Sequence, residues 1–408
     1  MVSRIIKICK NKAVLFTLLS GVASGINFIS LIIFGRVFSV EDYGVVTTFQ
    51  AFVSNVAVFM TPIQVMICKE ISDKNREGLL IREYIMMAFY ISIIECLALV
   101  IGFVPLMNYL HFVYVLEYVL FITLIFANNT YTMTVGMAQG RQDFILLGVV
   151  NILLYSVKML IGIFLGLMGI GPMAVIIGFL VAEIICILLL LSRLRIVFMY
   201  LKKADENTGG NTLSNYLWVL VLYTIVSMYM NSGDLLLGNI YCSQREIGLY
   251  SVAINLAKIS VFLIATPVAT ILLPKVVAYN DNKKRQRAIL LKAESITLFI
   301  SAAYGFVFGV FSGWIIPTLY GKEYADASVY VLPCILFSST LGMYWVFYQY
   351  AVVTDIMKAF TVVSACIGAL MIVFIICVRL DLKLIPVVMI IAMVLSVFSI
   401  LCFMRDRI

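Results

Sequence analysis

Apolar residues occur in twelve long runs broken by short polar stretches. The runs cover roughly 13–37, 44–67, 84–104, 113–137, 145–168, 171–192, 214–237, 248–273, 293–316, 329–352, 358–378 and 384–403. A helix needs roughly 20 such residues to cross about 30 Å of hydrocarbon, so each run predicts a transmembrane helix. Helices are the expected element, because backbone polar groups in lipid must be satisfied within the segment. The fifth and sixth runs are parted only by Gly169-Ile170-Gly171-Pro172, a tight-turn signal. The longest polar stretch, 193–215, lies at the middle of the chain and reads as a linker. It predicts two six-helix lobes, 1–203 and 204–408.

The two halves also resemble each other. Gly35-Arg36-Val37-Phe38-Ser39 leads to Tyr43-Gly44, and Gly238-Asn239-Ile240-Tyr241-Cys242 leads to Ile247-Gly248-Leu249-Tyr250. Thr61-Pro62 recurs as Thr266-Pro267. Six helices per half is an even number, so the repeats share one orientation. That predicts a pseudo-two-fold axis along the membrane normal, the arrangement in which transporters place substrate between repeats.

Composition sharpens this. Hydrophobic residues make up 63% of the 408 and charged residues 12%, against about 45–50% and 25% in soluble proteins. Twelve spans use about 240 residues, which leaves loops and tails but no separate soluble domain. A soluble enzyme, a disulfide scaffold and a nucleic-acid module are excluded. The nine cysteines form no CxxC pair and His111 is the one histidine, so neither a metal site nor a cofactor is expected. The basic start runs into a span too long for a signal-peptide core, so no cleaved signal is expected.

The net charge of +8 reads as topology. With the N-terminus inside, 22 of the 29 Lys and Arg fall in cytoplasmic segments. Five fall outside (Arg36, Arg245, Lys322, Arg379 and Lys383), and Lys158 and Lys258 lie within spans. The positive-inside rule then puts both termini in the cytoplasm.

Ionisable groups in a bilayer are costly and mark a cavity or a partner. Glu95, Lys158, Glu183 and Lys258 sit deep, and Asp234 lies near the outer end of its span. Helical spacing gives several of them polar company. Ser251, Asn255 and Lys258 share a face, as do Ser227, Asn231 and Asp234. So do Ser20, Ser24 and Asn27; Asn151, Tyr155 and Lys158; and Asn128, Thr132 and Gln139. Asn55 occupies the place of Lys258 in the first repeat. One reading is a hydrated cavity in which lysine holds phosphate as a point charge. The other is structural: interhelical amide bonds, Lys158 bridged to Glu95 or Glu183, and Lys258 snorkelling outward. Pro62 and Pro267 are candidate bending points or tolerated kinks.

Three stretches resemble the polysaccharide-biosynthesis flippases. They are Gly35 to Gly44, then Asp234-Leu235-Leu236-Leu237-Gly238 with Glu246 to Ala253, and Leu319-Tyr320-Gly321-Lys322-Glu323-Tyr324-Ala325. That family is similar to the MATE drug exporters within one exporter superfamily. The resemblance implies an all-α integral membrane protein with two six-helix lobes and a cavity lined by helices one, two, seven and eight. Those helices carry Asn27, Asn55, Asn231, Asp234, Asn255 and Lys258, which with Lys158 are the substrate-binding candidates. It also implies export of an undecaprenyl-pyrophosphate-linked oligosaccharide across a bacterial inner membrane. Membrane lipids and other polysaccharide-assembly proteins are the implied partners.

No GxxxxGK[ST] loop for ATP is present. The expected energy source is therefore a proton or sodium gradient, with Glu95 and Glu183 as coupling candidates and Asp234 a third carboxylate. The main alternative is export of small organic cations, in which the carboxylates would dominate. An enzyme of the same pathway is disfavoured, because the outside loops are only about a dozen residues or fewer, too short for a catalytic site.

Overall fold

The computed structural model describes residues 12–72, 81–193, 226, 232–261, 265, 268, 272, 276, 283–353 and 356–403. It comprises two compact units, Met1–Leu220 and Val221–Ile408. Among the described residues, ten helical segments are long and apolar enough to cross a membrane. They match ten of the twelve apolar runs. Of the other two runs, 214–237 lies largely outside the described residues and 248–273 is described continuously only as far as Val261; Asn231, Thr266-Pro267 and the linker beyond Arg193 lie outside them.

In the first unit, helix α1 (Lys12–Val37) leads to α2 (Val40–Val56), which passes through a 3-10 turn at Ala57–Met60 into α3 (Thr61–Ser72). The second apolar run is thus a broken helix. Pro62 has no N–H to donate, and Thr61 Oγ1 bonds back to the Ala57 carbonyl at 3.4 Å. Helices α4 (Ile81–Ile101), α5 (Phe103–Tyr109), α6 (Val115–Gly140), α7 (Phe144–Leu167) and α8 (Met173–Arg193) follow. The α7–α8 turn needs Gly169 and Gly171, whose φ values are +79° and +71°.

Lipid gives helices little hydrophobic reason to associate, so close packing over small residues does the work. A Cβ on Gly178 of α8 would stand 2.9 Å from the Lys158 carbonyl and 3.0 Å from the Gly162 nitrogen of α7. Gly162 and Gly166 make room for Phe34 of α1 and for Phe38 just beyond it, and Gly136 and Gly140 of α6 for α3. These crossings hold α1, α7 and α8 together on one side and α3 and α6 on the other.

The second unit contains α9 (Gly233–Gly238), α10 (Gln244–Ala257) and the long α11 (Lys283–Tyr320). A 3-10 stretch at Lys322–Tyr330 precedes α12 (Val331–Val353), α13 (Met357–Val378) and α14 (Ile385–Phe403). The Tyr304 hydroxyl of α11 donates to the Leu256 carbonyl at 2.7 Å, tying α11 to the last turn of α10.

Candidate functional site

Each unit contains its own buried polar cluster. In the first, Lys158 of α7 is 3% exposed. Its Nζ donates to Asn27 Oδ1 of α1 at 2.8 Å. The rings of Tyr155 and Phe179 flank it, each with its centroid 5.2 Å from Nζ, and such faces attract a cation where water is excluded.

Glu183 of α8 is fully buried. Asn128 Nδ2 of α6 donates to its Oε1 at 2.5 Å, and Oε2 has no hydrogen-bond partner among the described residues. Lys158 and Glu183 feel each other's charge, yet the lysine contact is with Asn27 rather than with either glutamate. On the next residue of α6, Asn129 Nδ2 donates to Glu95 Oε2 of α4 at 2.5 Å, and Glu95 Oε1 has no partner among the described residues. The Tyr131 hydroxyl donates to Asn151 Oδ1 at 3.0 Å.

The consecutive pair Asn128-Asn129 therefore serves two carboxylates on two neighbouring helices, because successive residues on a helix point to different sides. Sequence spacing instead grouped Asn128 with Thr132 and Gln139. In the structure, Thr132 bonds to the Asn128 carbonyl on its own helix, and Gln139 accepts from Gln64 Nε2 of α3. Asn129 and Phe179 were not singled out from the sequence. The adjacent amides in an apolar helix were the available signal for Asn129; Phe179 carried none.

In the second unit, Asp234 of α9 is fully buried. Its Oδ2 accepts from the Tyr250 hydroxyl at 2.6 Å, and Lys258 Nζ lies 3.7 Å from its Oδ1. Cys334 of α12 shares a hydrogen bond with Tyr250, and the Phe337 ring lies 5.7 Å from the lysine nitrogen. Lys258 is the C-cap of α10, a turn residue after which helix resumes at Ile259, and its side chain is 14% exposed. Its amine turns to Asp234, a structural pairing the sequence did not suggest.

Asn255 is half-buried on α10. Asn55 is buried, but its Nδ2 donates to the Ala51 carbonyl of its own helix at 2.7 Å. It joins neither cluster. Asn231 lies outside the described residues. Among the described residues no group of three His, Cys, Asp or Glu has a metal-binding arrangement.

The comparisons with known proteins agree with this architecture. A sequence profile described as "Polysaccharide biosynthesis protein" matches residues 33–329. No curated protein matches the sequence. Among solved structures, a lipid II flippase MurJ in an inward closed conformation superimposes with a TM-score of 0.74 at 15% identity, over 96% of this chain and 87% of that one. An inward-facing multidrug resistance MATE family transporter of the MOP superfamily gives 0.72 at 13% identity, over 94% of each chain. A MATE transporter in a bent conformation gives 0.60 at 12%, over 97% and 95%. These likenesses establish a shared fold.

Proposed function

The chain belongs to the polysaccharide biosynthesis protein family, and from that premise we propose that it is a flippase for an undecaprenyl-pyrophosphate-linked oligosaccharide. It moves the glycan from the inner to the outer leaflet of a bacterial cytoplasmic membrane, with both of its own termini inside. The transport cycle is alternating access of two lobes, driven by a proton or sodium gradient. The family membership carries the reading, together with the likeness to a structure named as a lipid II flippase.

Flipping requires no bond to be made or broken, so the protein acts as a transporter and not as an enzyme. The lipid tail stays in the bilayer while polar side chains accommodate the head group. Coupling falls to carboxylates able to change charge within the membrane. Glu183 and Glu95 suit that role, since each is held at one oxygen by an asparagine while the other oxygen has no partner among the described residues.

Lys258 has Asp234 beside it and Lys158 has Asn27. Neither lysine stands ready as a bare phosphate ligand, which shifts head-group recognition toward neutral amides such as Asn255.

A second reading is export of small organic cations. It draws on the same buried carboxylates and on the likeness to MATE transporters. Disrupting the gene separates the two. A flippase defect leaves completed glycan-lipid in the inner leaflet, shielded from an impermeant lectin. A drug-exporter defect raises dye accumulation and leaves the glycan-lipid distribution unchanged.

A further inference from the structure

We propose that Lys158 is a tethered cation that exchanges partners between Asn27 and Glu183 as Glu183 gains and loses a proton, and so couples the protonation of α8 to the docking of α1. The inference rests on the ion-coupled reading above and names the group that carries the ion.

The geometry supplies three reasons. First, Lys158 has an amide acceptor on one helix and a carboxylate within electrostatic reach on another. A lysine stem has four rotatable carbons and a compact charged head, so the amine can reorient without moving the backbone. Gly178 and Gly162 press α7 and α8 together at this level, so the helix bearing Glu183 stays close throughout.

Second, the described arrangement fits a neutral Glu183. A fully buried carboxylate with one oxygen unpartnered among the described residues, beside a lysine engaged elsewhere, is an uncompensated charge. A proton on Oε2 removes that charge. Lys158 then retains its own proton and is stabilised by Asn27 and by the two aromatic faces.

Third, the other groups around Glu183 leave the exchange to these residues. From α6 it meets Asn128 and Tyr131, from α7 Lys158, and on its own helix Cys186. Tyr155 borders Tyr131 and Lys158. Asn128 donates through Nδ2 and serves either protonation state of the carboxyl. Glu95 is held separately by Asn129.

The cycle balances in charge. With Glu183 protonated, the pair carries one positive charge and Lys158 docks on α1. Release of the proton to water leaves a neutral ion pair, draws the amine to Glu183 and frees Asn27. Rising pH therefore loosens α1.

The test is hydrogen–deuterium exchange on purified protein in detergent, corrected for intrinsic rate, across pH. Protection of α1 relative to α4 is expected to fall with rising pH in wild type. Glu183→Gln should hold α1 protected at every pH, and Asn27→Ala should leave it weakly protected at every pH. Glu183→Asp should restore the pH response. Infrared spectra of wild type should show a protonated carboxylic-acid band that titrates away and is missing in Glu183→Gln. A pH response of α1 that survives in Glu183→Gln would overturn the exchange, as would its absence in wild type or the absence of a Glu183 acid band. Glycan movement is measured on the same preparations. Its absence in wild type, with the α1 response intact, sinks the flippase reading and spares the exchange.

Discussion

Ser39 and Ser243, 204 residues apart, perform the same task at the start of corresponding helices. Each is an extended N-cap, with φ/ψ of −61°/162° and −70°/154°. Each accepts a hydrogen bond from the backbone N–H three residues on, at Asp42 and Glu246. An acidic side chain follows three residues after each cap, at the positive end of the helix, where negative charge is favoured. The internal repeat seen in the sequence is thus a repeat of local physics.

Replacing either serine by alanine should cost about 1 kcal/mol. The two costs should be similar, because each serine hydroxyl also donates to the acid three residues on, Ser39 to Asp42 Oδ2 at 2.9 Å and Ser243 to Glu246 Oε2 at 2.8 Å. Thermal unfolding in detergent checks both. Equal and negligible shifts would mean that neither cap contributes to stability.

Asp234 and Lys258 should show energetic coupling. Asp234→Asn removes the carboxylate beside the lysine, and Lys258→Met leaves a fully buried carboxylate bonded, among the described residues, to Tyr250. The double variant removes both charges. It should be more stable than the sum of the two single losses predicts, by about 0.5–3 kcal/mol. Additive losses would show that the pair does not interact.

Two glycines separate packing from conformation. Gly178→Ala puts a methyl group against the backbone of α7 and should destabilise by about 1–3 kcal/mol. Gly313→Ala meets open space within α11 and should be neutral or stabilising by up to about 1 kcal/mol. Melting temperatures of the two variants should therefore move in different directions or by clearly different amounts.

Cys242 lies in the turn between α9 and α10. Burial pushes its thiol up to about 11, with the charges of Glu246 and Asp381 adding to the effect. Only the thiolate reacts, so on a background free of other cysteines an impermeant maleimide should label it slowly near neutral pH and faster as pH rises. Asp381→Asn should bring the rise to lower pH. Labelling from outside intact spheroplasts places this turn on the outer face; labelling only after lysis would invert the topology.

The fold was more legible in the sequence than the site. Long apolar runs specify helical spans because lipid demands that backbone groups be satisfied internally and runs of this length suit a helix rather than a barrel strand, and the Gly169–Pro172 turn was readable from the chemistry of its residues. The ionisable residues of both clusters were also visible, because a charge within an apolar run stands out. Their partners were not. Asn27 and Lys158 are 131 residues apart, and one-helix periodicity says nothing of which faces meet across helices. Tyr250, Cys334 and Phe179 look like ordinary core residues until Asp234 and Lys158 are seen against them.

The most direct test of function uses the purified protein in liposomes carrying an undecaprenyl-pyrophosphate oligosaccharide on one leaflet. Appearance of glycan on the other leaflet is followed under an imposed proton or sodium gradient. The account predicts protein-dependent movement that accelerates with one of those gradients and stops when the gradient is collapsed. Movement no faster than in protein-free liposomes under both gradients, with dye extrusion by the same preparation, would contradict it.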